Sequence, residues 1–71
     1  MRFLIFEDHE NEVFVINERA VTAVKINIDQ TDTIWAQGGV TFEGNLLGSC
    51  EHLSEAMNAA YHFADPKKVE N

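Results

Sequence analysis

The side chains in this 71-residue chain that could do covalent or metal chemistry are few: one cysteine, three histidines, two serines and a scatter of acids. Cys50 is the only thiol, and the reading places it in the first turn of a helix, where the dipole and free amides favour a thiolate. His52 lies two positions on, and residues two apart on a helix point away from each other, so it makes a poor base for Cys50. A small apolar residue on a buried stripe is the simpler role for that cysteine. A thiol-dependent enzyme using Cys50 is therefore a third-ranked expectation.

Metal chemistry fares no better. His52 and His62 are ten residues apart, about 15 Å along a helix, too far to share an ion. Asn58 with His62 and Glu51 with Glu55 stand four apart without matching a helical metal motif. The acidic loop EDHENE, residues 7–12, could attract a divalent cation, but it has no glycine and departs from the calcium-loop pattern. Gly38-Gly39, Gly44 and Gly48 match neither the dinucleotide nor the P-loop spacing. Ser49 and Ser54 have no nucleophile-elbow setting. The expectation is no catalytic residue, no metal site and no cofactor.

The charge balance narrows the partners. Twelve acids against five bases give a formal charge of −7, and no Lys or Arg occurs between Lys25 and Lys67. Nucleic acid and anionic membrane surfaces both select clustered cations, so neither is an expected partner. An acidic inhibitor, or a mimic of nucleic acid that enters a basic cleft, is the alternative from another class. It requires Asp29, Asp32, Glu43, Glu51 and Glu55 to stand in a row. A single cysteine precludes an intrachain disulfide and favours a reducing, cytoplasmic setting. The opening MRFLIF is too short for a signal-peptide core or a membrane span.

The elements that would position these groups follow from periodicity. RFLIFE, residues 2–7, and EVFVI, residues 12–16, read as strands. Alternation sets Phe3 and Ile5 opposite Leu4 and Phe6, so both faces of this ribbon are apolar, the pattern of strands covered on both sides. Asn17 to Ala20 form a turn or one helical turn capped by Asn17. VTAVKINI, residues 21–28, makes a third strand, and Asp29 to Asp32 a turn. Gly38-Gly39 suits a two-residue hairpin that would set Gln37 opposite Val40 and Trp35 opposite Phe42. GNLLG, residues 44–48, links the sheet to a helix over Ser49–Ala64. That helix takes Ser49 as its N-cap and carries Cys50, Leu53, Ala56, Met57, Ala60 and Ala64 on its dry face. Asp65-Pro66 ends it, and residues after 64 form a flexible tail.

The expected fold is α+β: an antiparallel sheet of four to five strands built from hairpins, followed by one C-terminal helix on one sheet face, with residues 1–64 as a single domain. In the Asn after a strand in VFVINERAV, the DT of DTIWAQGG and the closing helix, the chain loosely resembles the small flagellar FlbD-type proteins over about residues 12 to 62. The resemblance rests on element order and turn residues, and it implies no site residue.

One helix covers one face, which leaves a second apolar face without a lid. The sequence therefore predicts a homodimer or an unidentified protein partner seated on Phe3, Leu4, Ile5, Phe6, Phe14, Ile16, Trp35 and Phe42. The functional expectation is a small, acidic, non-catalytic interaction or regulatory domain.

Overall fold

A computed structural model describes residues 2–64. The expected end of the helix at Asp65-Pro66 and the C-terminal tail lie outside the described residues. Five strands, β1 (Phe3–Asp8), β2 (Val13–Asn17), β3 (Val21–Ile26), β4 (Asp32–Ala36) and β5 (Val40–Cys50), precede one helix, α1 (Leu53–Ala64). All pairings are antiparallel, and the spatial order is β2-β1-β5-β4-β3. The α+β class, the antiparallel sheet and the C-terminal helix packed on it are as the sequence indicates.

The sheet is strongly curled, for a reason of length. β2 and β3 are its opposite edges, which in a flat five-stranded sheet would lie about 19 Å apart at a strand spacing of ~4.8 Å. Yet only the 3₁₀ turn Glu18–Ala20 joins them, and such a turn rises about 2 Å per residue. The two edges must therefore approach at this point. Asn17 caps the turn, its side-chain oxygen accepting from the Arg19 N–H at 2.9 Å. Two amides pin the turn to the sheet: Glu18 N–H donates to the Arg2 carbonyl (3.0 Å) and Gln37 N–H to the Ala20 carbonyl (2.8 Å).

Curling supplies the lid the sequence could not find. Phe6, Ile16 and Ile34 form a buried cluster inside the curl, with Leu4, Phe14, Val21 and Phe42 packed against it. The Phe42 ring lies 5.0 Å from Phe14 and 6.4 Å from Phe6, the latter edge-on. Helix α1 covers the other face of the ribbon. It packs over β1, β2 and β5, and Val13 and Val15 line a groove with Met57 and Ala60. Ile5 pairs with Val15, so it belongs to that helix-covered face, where it is buried along with Ala56.

Three expectations on registration are corrected. The β4–β5 loop has three residues rather than two, because Ala36 pairs with Val40. The Gln37 amide is drawn off to Ala20, and Gly38 and Gly39 turn the chain at φ +85° and +79°. That one-residue slip sets Trp35 opposite Thr41 and Ile34 opposite Phe42, so Trp35 and Phe42 stand on opposite faces. Secondly, residues 44–48 are no linker, since β5 continues through Ser49 to Cys50. β1 needs a second neighbour for its backbone groups, and Gly48, Ser49 and Cys50 pair with Ile5, Leu4 and Phe3. Thirdly, the helix starts at Leu53, its first turn closed by the Ala56 N–H donating to the His52 carbonyl at 3.1 Å. Ser49 therefore caps nothing. Its hydroxyl instead accepts from Arg2 Nη2 at 3.0 Å and Nε at 3.2 Å.

Candidate functional site

Of the surface expected to meet a partner, the fold leaves little outside. Ile5, Phe6 and Ile16 are buried, and Phe3, Leu4, Phe14 and Phe42 are half-buried within the chain's own layers. Trp35 alone of the eight is exposed. The other large exposed apolar side chains lie on β3 and its turn (Val24, Ile26, Ile28), on β5 (Val40, Leu46) and on the helix (Leu53, Met57, Tyr61, Phe63).

The β3 region holds the densest polar network. Thr33, the only buried polar residue among those described, accepts from the Asn27 amide at 2.9 Å. Its hydroxyl stands 3.4 Å from Glu43 Oε2, and the other Glu43 oxygen is 3.3 Å from His9 Nε2. Lys25, Thr33 and Glu43 are register partners on three adjacent strands, which sets a cation and an anion at the two ends of one cross-strand row. The turn beyond β3 is closed by Asn27 N–H donating to the Thr31 carbonyl (2.9 Å), with Gln30 at φ +71°. Lys25, Ile26, Asn27, Ile28, Asp29 and Glu43 line a hollow of about 470 Å³ on this end of the molecule. The sequence shows Asp29 and Glu43 as acids fourteen positions apart. Their union with an apolar edge depends on strand register.

Asp29 is held below the ordinary carboxylate range, first by the Thr31 hydroxyl at 2.6 Å and then by the Thr31 amide at 3.1 Å. A depressed folded-state pKa stabilises the fold above the unfolded value, ~3.9, and that contribution disappears as pH falls through the folded value. Thr31→Val should raise the Asp29 pKa toward its ordinary value, read by carboxyl-carbon NMR titration. An unchanged Asp29 titration in that variant would show that the hydroxyl does not hold the charge.

The remaining chemistry-bearing residues are dispersed. Cys50 ends β5, three residues before α1 begins, and not in its first turn as the sequence suggested. Glu51 stands 3.8 Å from Arg2, and Glu55 rides on α1, which packs over β1, β2 and β5. Asp29, Asp32 and Glu43 belong to the β3–β4–β5 end, so the five acids divide between two regions. In the loop after β1, carboxylate oxygens of Asp8, Glu10 and Glu12 lie within 4.8 Å of one another. Asp8 Oδ1 already accepts the Glu10 and Glu12 amides at 2.9 Å each, so the loop is ordered by its own hydrogen bonds.

Among the described residues, no helix is long and apolar enough to cross a membrane. No protein-family model, no curated protein and no solved structure matches this chain, so the loose flagellar resemblance gains no support from them.

Proposed function

We propose that this chain is a small, acidic, non-catalytic protein-interaction domain that works as a homodimer in the cytoplasm, with α1 as the contact between copies. The observation that carries the reading is the outer stripe of that helix. Leu53, Met57 and Tyr61 recur every four residues and are 49%, 42% and 69% exposed, beside a groove of about 240 Å³ shared with Val13, Val15, Ala60 and Ala64. Only Ala56 of the helix is buried. Charge favours a second copy at this surface above any other. The chain carries −7 overall, yet Glu55 is the sole formally charged residue of Leu53–Ala64. Two copies meeting helix to helix therefore bring together their least repulsive faces, and a two-fold contact needs one such stripe on each.

Sedimentation equilibrium at micromolar concentration should give twice the 8.0 kDa chain mass. Tyr61→Glu should weaken the dimer by about tenfold or more while leaving the far-UV spectrum intact, since that side chain makes little of the monomer core. Val40→Glu, at an exposed apolar position on the β4–β5 hairpin, should leave the dimer unchanged. A lone 8.0 kDa species up to high micromolar concentration would end this reading.

A further inference from the structure

We propose that the segment after α1, residues 65–71, folds back onto its own chain, setting Lys67 and Lys68 against the acidic β1–β2 loop and Val69 into the groove between α1 and β2. The direction of the helix brings these parts together. β5 ends at Cys50 beside Phe3, and Phe3 pairs with Asn17, so α1 sets out from that end of the β1–β2 ribbon. It packs over β1 and β2 and finishes at the other end, where Ala64 lines the groove with Val13, the first residue of β2. The loop carrying Asp8, Glu10 and Glu12 stands immediately before Val13. The chain therefore leaves the helix beside that loop.

Charge selects this occupant. Carboxylate oxygens of Asp8, Glu10 and Glu12 lie within 4.8 Å of one another, Glu10 and Glu12 are exposed, and His9 of the same loop is turned to Glu43. Of the five Lys and Arg in the sequence, Arg2 is held by Ser49 and Glu51 and Arg19 follows β2, both at the far end of the ribbon. Lys25 stands on β3 in the row with Thr33 and Glu43. Lys67 and Lys68 are the other two, three and four positions past Ala64, and an extended chain covers about 3.5 Å per residue, so both reach the loop. Asp65 and Glu70 flank the pair, which makes the attraction local to the two lysines. Exposed ion pairs hold little by themselves. Val69, the only branched apolar side chain of the segment, supplies burial, with Val13, Val15, Met57 and Ala60 as its apolar walls. Tethered at Ala64, the segment meets the groove at an effective concentration that no separate partner has. The contact is made within one chain, so it stands whether or not copies associate through α1.

The test uses the full chain labelled with ¹³C and ¹⁵N, with sedimentation on the same samples reading the oligomeric state separately. Val69 methyl protons should show NOEs to Val13 and Val15, and the amides of Lys67, Lys68 and Val69 should give heteronuclear NOE values near those of β2. Lys67→Glu combined with Lys68→Glu should remove the methyl NOEs and lower the amide values, and raising the salt should weaken both in the unaltered protein. Val69→Ser should lower the Lys67 and Lys68 amide values while leaving the amides of β4 in place. Absence of any Val69 contact with β2, or contacts that survive the double lysine substitution unchanged, would overturn the proposal. A sample mixing labelled and unlabelled chains tests the competing occupant: Val69–Val13 NOEs arising only between chains would give the groove to a second copy and overturn the fold-back.

Discussion

Gly44→Ala is expected to cost at least about 3 kcal/mol, a large share of the total stability of a chain of this size. A Cβ built at Gly44 falls on the Glu7 carbonyl oxygen and comes within 2.8 Å of Asp8 Cα. Neither neighbour can yield. Both are backbone of β1, and β5 at this point is held between β1 and β4, with Gly44 paired to Asp8 on one side and Asp32 on the other. The loss comes from this close approach, since Gly44 is not among the positive-φ glycines. Gly48→Ala is the matched control: nothing lies within 4 Å of its Cβ, so the added methyl should be neutral, or stabilising by a few tenths of a kcal/mol through the unfolded chain. Urea unfolding followed by circular dichroism measures both. A Gly44→Ala midpoint close to that of the parent would mean that β1 and β5 are not paired at this distance.

Phe6→Ala should be equally severe, about 3–5 kcal/mol, because the ring is fully buried at the centre of the curl and its loss leaves a cavity among Ile16, Ile34 and Phe42. Trp35→Ala should cost less, about 1–3 kcal/mol, although tryptophan is the largest side chain in the sequence, since Trp35 is 39% exposed and faces away from Phe42. The contrast tests the hairpin register directly. With a two-residue Gly38-Gly39 turn, Trp35 and Phe42 would share the core face, and Trp35→Ala would rival Phe6→Ala. Comparable losses in the two variants would restore that register and dismantle the inner cluster as described.

The β3 edge shows how placement can escape a linear reading. Ile26 and Ile28 read as ordinary strand residues, and Asp29 and Glu43 as members of one acidic row. Sequence reveals which residues are apolar, but not which strand ends the sheet. Once β3 is an edge, the same isoleucines become an uncovered line with carboxylates beside it. The expected partner surface is mostly covered within the chain for the converse reason. Alternation marks both faces of β1 and β2 as apolar, and both faces are covered, one by α1 and one by the curled sheet. The homodimer we propose uses the helix instead.

What the residues settle alone is local: alternation marks β1 and β2, Asn17 starts a capped turn, paired glycines reverse the chain, and a 3.6-residue apolar rhythm makes the last element a helix. These follow from interactions between residues a few positions apart. What tertiary structure decided is every property that depends on distant partners. β5 runs on to Cys50 because β1 needs a second neighbour, Gln37 leaves the hairpin because Ala20 takes its amide, and the sheet curls because one short turn joins its two edges. The free energy that fixes these choices is shared between segments tens of residues apart, so neither segment carries it by itself.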